Sequence, residues 1–165
     1  MSGLDALDLL LADDSSHMRA IVCTLLRSIG IEKVREVSDG SAALEALRQQ
    51  PADIAIVDFK MLPLDGVSFT RMIRLAPDSP DVYLPVIMMT GHSELSRVCE
   101  ARDAGVTEIL AKPINAKRLL TRIESVILHP RAFIRTSSYF GPDRRRKITL
   151  DYLGPYRRST DPRAL

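Results

Sequence analysis

Five polar residues of this 165-residue chain have the types needed for phosphoryl chemistry: Asp13, Asp14, Asp58, Thr90 and Lys112. Three carboxylates held together repel one another and need a cation, and Mg²⁺ prefers such oxygen ligands. A carboxylate is ionised at neutral pH and can attack phosphorus without a general base. An ammonium and a hydroxyl group can then stabilise the phosphoryl oxygens. The set predicts a Mg²⁺-dependent aspartyl-phosphate site with Asp58 as the acceptor.

These residues have a shared position relative to the predicted strands, because each follows directly after one. Alternating apolar runs and helical periodicities predict five strands and five helices. The strands are expected at 7–12, 34–37, 54–57, 86–89 and 108–111, and the helices at 15–29, 41–50, 66–75, 93–104 and 115–128. Apolar strands alternating with helices indicate a parallel sheet covered on both faces.

The carboxyl ends of parallel strands meet at one edge of the sheet, which is where ligands bind in such folds. Each polar residue taken alone also has a structural explanation. Asp13 and Asp14, for example, could favour the start of a helix through its dipole. The occurrence of all five in order at successive strand ends favours the functional interpretation.

The chain resembles the receiver domain of two-component response regulators, of the CheY-like type, over residues 5–128. The resemblance is carried by Asp13-Asp14, by Asp58 with Met61, Pro63, Asp65 and Gly66 after it, by Thr90-Gly91, and by Lys112-Pro113. It implies a flavodoxin-like (βα)5 parallel sheet of strand order 2-1-3-4-5. It also implies that Asp58 accepts phosphate from a histidine kinase or phosphotransferase, and that the protein is not a conventional enzyme beyond its own phosphorylation and dephosphorylation.

The same resemblance assigns the remaining roles at the site. Asp13, Asp14, Asp58 and the backbone carbonyl of Lys60 would bind Mg²⁺, and Thr90 and Lys112 would sense the phosphoryl group. The sequence departs from the family pattern at Ile109, which stands where an aromatic switch residue is usual. The resemblance therefore does not extend to readout by rotation of an aromatic ring.

The charge of the chain is unevenly distributed. Residues 131–165 carry nine basic and three acidic residues, a net charge of +6, whereas residues 1–130 carry 14 basic and 18 acidic residues, a net charge of −4. We therefore divide the chain into a receiver domain, 1–130, and an Arg-rich tail, 131–165. The composition of the tail predicts a flexible basic extension that orders on meeting an anionic partner.

The tail contains a repeated pattern. Residues 140–146 (FGPDRRR) are echoed by residues 153–159 (LGPYRRS), so that an apolar residue and Gly-Pro precede paired arginines. A guanidinium group can form a bidentate contact with guanine or pair with phosphate, and aromatic rings can stack on bases. A solubilising basic tail remains an alternative explanation of the charge run.

The combination of receiver and tail resembles the Cle group of CheY-like proteins, which bind cyclic di-GMP and act at the flagellar motor. The resemblance implies nucleotide contacts by Arg144, Arg145, Arg146, Arg157 and Arg158, with stacking by Tyr139, Phe140 and Tyr156. A flagellar switch protein would then be the partner. The alternatives are a stand-alone phosphotransfer receiver whose tail docks a kinase and, less favoured, a tail that binds nucleic acid with strong salt dependence.

No apolar run is long enough to span a bilayer, and the start of the chain lacks the features of a signal peptide. Cys23 and Cys99 lie among apolar neighbours and are expected to be two isolated buried thiols. These features predict a cytoplasmic protein without membrane insertion.

Overall fold

A computed structural model describes residues 3–91 and 96–145 of the chain. Its strands are β1 (Asp8–Ala12), β2 (Lys33–Val37), β3 (Ile54–Asp58), β4 (Val86–Thr90), β5 (Glu108–Ala111), β6 (Phe133–Arg135) and β7 (Phe140–Pro142). Its helices are α1 (Ser16–Ser28), α2 (Gly40–Gln49), α3 (Gly66–Leu75), α4 (Val98–Ala104) and α5 (Ala116–Leu128). The start of the predicted fourth helix, residues 93–95, lies outside the described ranges.

The first five strands form a parallel sheet of order β2-β1-β3-β4-β5. The predicted flavodoxin-like fold is confirmed, with its strand order 2-1-3-4-5. Successive side chains of a strand point to opposite faces of a sheet. Leu10, Ala55 and Val57 accordingly belong to one buried layer, and Leu9 and Ile56 belong to the other. The apolar runs of the sequence are therefore core on both sides.

Polar side chains begin four of the helices. The carboxylate of Asp39 accepts hydrogen bonds from the first turn of α2, and that of Asp65 accepts one from Ser68 N at 2.7 Å in α3. Ser15 caps α1 and Asn115 caps α5 in the same way. Such caps satisfy backbone N–H groups that have no partner within the helix. No helix of the described ranges is both long and apolar enough to cross a membrane.

The structure differs from the expected flexible tail over residues 131–145, because β6 and β7 pair as an antiparallel hairpin against the receiver body. Tyr139 is 8% and Phe140 6% exposed. The rings of Phe133 and Phe140 contact Tyr83, with centroids 5.0 and 5.7 Å away. The charge of the whole tail conceals this local run of aromatic residues, which supplies enough apolar surface to order the segment. Residues 146–165 lie outside the described part.

One prediction about the cysteines is correct and the other is wrong. Cys23 is buried in α1, but Cys99 is exposed. Helix α4 turns Ala101 and Ala104 toward the core. Cys99 lies on the other side of this short helix, so apolar neighbours in sequence did not mean burial.

Candidate functional site

The predicted site residues meet at the carboxyl edge of the sheet. Asp13 follows β1, Asp58 ends β3, Thr90 ends β4 and Lys112 follows β5. These four strands are neighbours in the sheet. The register aligns Asp58 with Met89 and Thr90 with Ala111. The strand ends are therefore level, and the polar side chains lie at one edge.

Three carboxylates form the acidic cluster: Asp13, Asp14 and Asp58. One oxygen from each lies within 4.8 Å of the others. Asp13 is 1% exposed and Asp58 6% exposed, whereas Asp14 is open to solvent. Burial and mutual repulsion both oppose ionisation of such groups. The cluster is thus an arrangement that a divalent cation would stabilise.

Lys112 supplies the nearest positive charge. Its Nζ lies 2.9 Å from Oδ1 of Asp58. Burial raises the pKa of Asp58 to about 6; the hydrogen bond from Lys112 lowers it, and the charge of Asp13 adds to the increase. Burial likewise raises the pKa of Asp13. Lys112 therefore offsets only part of the cost of holding these carboxylates charged.

Two buried oxygens at this edge have no hydrogen-bond partner among the described residues: Oδ2 of Asp13 and the Oγ1 of Thr90. A buried polar atom without a partner costs about 1–3 kcal/mol. Asp13 Oδ2 belongs to the acidic cluster, so a hard cation with oxygen ligands would satisfy it. Thr90 is the last residue of β4, the strand beside β3, and its hydroxyl group could donate a hydrogen bond to a phosphoryl oxygen. The residues present therefore fit Mg²⁺ and a phosphoryl group.

Arg19 is a supporting residue that the sequence interpretation missed. Its Nη1 donates to the backbone carbonyl of Asp13 at 2.7 Å, and its Nε lies 3.4 Å from Glu36 at the end of β2. The backbone N–H of Ser15 donates to Oδ1 of Asp13 at 2.9 Å. These contacts fix the turn between β1 and α1. Arg19 follows the Ser15 cap by one helical turn, and this spacing could have indicated that its side chain reaches back to the turn after β1.

The turn between β3 and α3 depends on glycine. A Cβ atom on Gly66 would lie 2.3 Å from the carbonyl oxygen of Asp58, which is closer than any side chain tolerates. The backbone N–H of Gly66 donates to Phe59 O at 3.2 Å, and that of Gly40 donates to Leu64 O at 2.9 Å. The chain therefore returns tightly past the acceptor residue. Lys60, in this turn, is exposed, and the metal-binding role of its carbonyl stays a prediction.

The predicted nucleotide-binding residues of the tail lie away from the acidic cluster. The hairpin packs beside Tyr83 and Gly105, which precede β4 and β5, and so occupies the amino edge of the sheet. Tyr139 donates its hydroxyl to Pro142 O at 2.7 Å and is covered by the Arg144 guanidinium, 4.8 Å from the ring centroid. In this conformation its ring is packed within the chain and is not open for base stacking.

The other tail positions divide into two groups. Phe140 is buried and covered by Arg135, 4.2 Å from its ring centroid. Arg144 pairs with Asp103 of α4, and Arg145 pairs with Asp143 at 2.6 Å. The remaining predicted contacts, Arg146, Arg157, Arg158 and Tyr156, lie outside the described residues. The structure thus brings Tyr139, Phe140, Arg144 and Arg145 together at the hairpin. The two aromatic rings are buried by packing within the chain, and the two arginines form ion pairs.

Residues 9–124 match the response regulator receiver domain family. Chemotaxis protein CheY of Pseudomonas aeruginosa is 34% identical over 118 residues, 72% of this chain and 94% of that protein. Chemotaxis protein CheY-3 of Vibrio cholerae is 33% identical over 118 residues, 72% of this chain and 89% of that protein.

Solved structures agree with these matches. The chemotaxis response regulator CheY4 of V. cholerae has a TM-score of 0.65 at 29% identity, covering 73% of this chain and 98% of that one. The receiver domain of the sensor histidine kinase PA1611 of P. aeruginosa, with a magnesium ion coordinated in its active site cleft, has a TM-score of 0.64 at 29% identity, covering 72% and 94%. The chain therefore belongs to the response regulator receiver domain family of two-component signalling.

Proposed function

We propose that Asp58 accepts a phosphoryl group and that the phosphorylated receiver signals by binding another protein. The observation that carries this proposal is the position of Lys112 Nζ, 2.9 Å from Asp58 Oδ1, at the edge of the sheet where the buried Thr90 hydroxyl has no hydrogen-bond partner among the described residues. An ammonium group beside the nucleophile and a hydroxyl group at the end of the neighbouring strand β4 support this role, because both could stabilise the charge that develops on the phosphoryl oxygens.

The donor would be a phosphohistidine of a kinase or phosphotransferase, or a small acyl phosphate. A carboxylate oxygen of Asp58 attacks phosphorus; the new O–P bond forms as the P–N or P–O bond of the donor breaks, and the donor keeps that electron pair. Lys112 holds its positive charge beside the acceptor, and Thr90 can donate its hydroxyl proton to a phosphoryl oxygen. Mg²⁺ held by Asp13, Asp14 and Asp58 would supply positive charge to the phosphoryl oxygens when bound.

Phosphorylation of the full chain by an acyl phosphate with Mg²⁺ tests the proposal. Intact-mass spectrometry should show one phosphoryl group on the wild type and none on Asp58→Asn. Asp78→Asn is the matched control, because the side chain of Asp78 is 72% exposed and lies outside the acidic cluster. An unreactive wild type, or an Asp58→Asn variant that is still modified, would contradict the assignment.

Mg²⁺ binding has a separate test that does not depend on phosphorylation. A ligand that binds only the folded state raises thermal stability in proportion to the logarithm of its concentration. We expect Mg²⁺ to raise the Tm of the wild type and to have little effect on Asp13→Asn, which removes a ligand from the cluster. Equal increases in both proteins would place the ion elsewhere.

For the output we propose chemotaxis signalling, with a flagellar switch protein as the partner, and cyclic di-GMP as a second ligand of the tail. The chemotaxis proteins among the relatives support the first. The repeated Gly-Pro-x-Arg-Arg pattern and the cluster of arginines around Arg144 support the second. In this form of the proposal the arginines contact the nucleotide, while Tyr139 and Phe140 hold the hairpin.

Calorimetry of the full chain with cyclic di-GMP tests nucleotide binding. Arg144→Ala combined with Arg145→Ala should abolish the heat of binding, and Arg118→Ala on the exposed side of α5 should not. The absence of binding by the wild type would leave a phosphotransfer receiver whose tail docks a kinase, the remaining alternative. Binding of RNA or DNA with a steep salt dependence would instead indicate the nucleic-acid function.

A further inference from the structure

We propose that a small cavity between the hairpin, α4 and β5 binds a phosphate-class anion. The cavity has a volume of about 120 Å³, and the guanidinium-bearing residues Arg102, Arg131 and Arg144 line it together with Thr107 and Glu108. We call it the arginine cavity. It lies at the amino edge of the sheet, away from the acidic cluster.

The three arginines come from three separate parts of the fold. Arg102 belongs to α4, Arg131 lies between α5 and β6, and Arg144 follows β7. None of them is near another in sequence. The docked hairpin therefore assembles the cavity, and a ligand within it would connect the C-terminal segment to the receiver body.

Positive charge exceeds negative charge around the arginine cavity. Glu108 is 4% exposed and accepts hydrogen bonds from Arg131 at 2.8 Å and Ser125 at 3.1 Å, and it pairs with Arg122 at 3.5 Å. Its carboxylate is thus enclosed by two guanidinium groups and a hydroxyl group. Its charge is already compensated by its own partners.

Two further acids face the cavity arginines: Asp143, which pairs with Arg145 and interacts with the charge of Arg131, and Asp103, which pairs with Arg144. The side chain of Asp103 is 61% exposed, so this pair is screened by water and readily exchanged. Arg102 makes no ion pair with any residue of the described ranges. Two of the three guanidinium groups can therefore turn to an incoming anion without leaving a buried acid unpaired.

Phosphate is the ligand chemistry that suits this arrangement. A guanidinium group presents two parallel N–H donors that match two oxygens of a phosphate, and several such groups bind it from different directions. The cavity exceeds the roughly 30 Å³ that one water occupies in the liquid, so an oxyanion can enter. Inorganic phosphate, pyrophosphate and the phosphodiester of a nucleotide share this chemistry. For cyclic di-GMP the inference rests on the nucleotide binding proposed above; for phosphate and pyrophosphate it stands independently.

Calorimetric titration of the full chain with pyrophosphate, at constant ionic strength, tests the site. We expect saturable binding that weakens by about tenfold or more in Arg102→Gln, the loss typical of one charge-assisted hydrogen bond. Arg118→Gln, an exposed arginine of α5 outside the cavity, should bind like the wild type. Affinities for Arg102→Gln and Arg118→Gln that are equal would overturn the proposal, as would an absence of binding by the wild type.

A second variant tests the cavity at an exposed residue, Asp103, whose side chain is 61% exposed. Asp103→Asn removes the acid that competes for Arg144 at an exposed position, so pyrophosphate should bind more tightly than to the wild type. Weaker or unchanged binding would overturn the role given to Arg144.

Competition distinguishes the two proposals about the C-terminal segment. Displacement of pyrophosphate by cyclic di-GMP supports one shared site. If cyclic di-GMP binds without displacing pyrophosphate and is insensitive to Arg102→Gln, the nucleotide function stands and its assignment to this cavity fails. If pyrophosphate binds and cyclic di-GMP does not, the anion site stands and the nucleotide function fails.

Discussion

Lys112 Nζ lies 2.9 Å from Oδ1 of Asp58, and the ammonium reaches that position from β5, two strands away from β3 in the sheet. The contact therefore depends on β3, β4 and β5 lying side by side in the sheet. Thr90 ends the intervening strand β4, and its buried hydroxyl has no hydrogen-bond partner among the described residues.

Removal of the Lys112 charge should slow phosphoryl transfer to Asp58 by about two orders of magnitude, the loss seen when one preorganised charge-stabilising donor is deleted. Lys112→Ala should be compared with Lys117→Ala, whose side chain is exposed on α5. The measurement is the rate of phosphorylation by an acyl phosphate at saturating Mg²⁺. Equal rates in the two variants would show that Lys112 has no part in the reaction.

Gly66→Ala should destabilise the protein by about 1–3 kcal/mol, because the added methyl group overlaps the Asp58 carbonyl oxygen. Displacement of that carbonyl should also reduce the phosphorylation rate. Gly3→Ala is the matched control, since its Cβ would have no atom within 4 Å. Urea unfolding gives the free energies, and a Gly66→Ala protein as stable as Gly3→Ala would show that the turn relaxes without cost.

Phe140→Ala should release the hairpin from the receiver body. Loss of a buried phenylalanine costs about 3–5 kcal/mol in protein cores, and the ring of Phe140 contacts both Tyr83 and Phe133. We expect faster hydrogen exchange over 133–142, with Ser137→Ala, an exposed turn position, as the control. Protection that persists in Phe140→Ala would show that Arg131 and Arg144 suffice to hold the hairpin.

Acid should weaken the segment after β7 through Asp143. Hydrogen bonds from Arg145 lower the pKa of the Asp143 carboxyl below its usual range. A carboxyl whose pKa is lower in the folded state stabilises the protein above its unfolded pKa, and this contribution is lost as pH falls through the lowered value. The difference in unfolding free energy between the wild type and Asp143→Asn should therefore shrink in acid. A difference independent of pH would contradict this role.

Sequence was sufficient for the sheet and for the position of the chemistry. Continuous apolar runs predicted strands that are buried on both faces, as Leu9 and Leu10 are, and polar residues after those runs marked one edge of the sheet. Asp58, Thr90 and Lys112 needed only the rule that parallel strands end together. The pattern of an apolar strand followed by a polar residue recurs at four strands, so an error in the bounds of one strand does not change the predicted edge.

Other features required coordinates because they depend on particular contacts that the pattern of residue types does not show. Arg19 acts through a carbonyl, Gly66 acts through a steric limit at Asp58, and neither interaction has a composition signal. The order of residues 131–145 depends on contacts with Tyr83 and Gly105, which the average charge of the tail conceals.

The hairpin also bears on how the protein should be cut or fused for experiments. A fragment ending at residue 130 would end after α5, yet it would lose the Arg131 contact to buried Glu108 and would expose the face of Tyr83 that Phe133 and Phe140 cover. A fragment ending after residue 145 keeps these contacts. A reporter joined at residue 130 would displace the residues that make these contacts, whereas one joined beyond residue 145 would keep them.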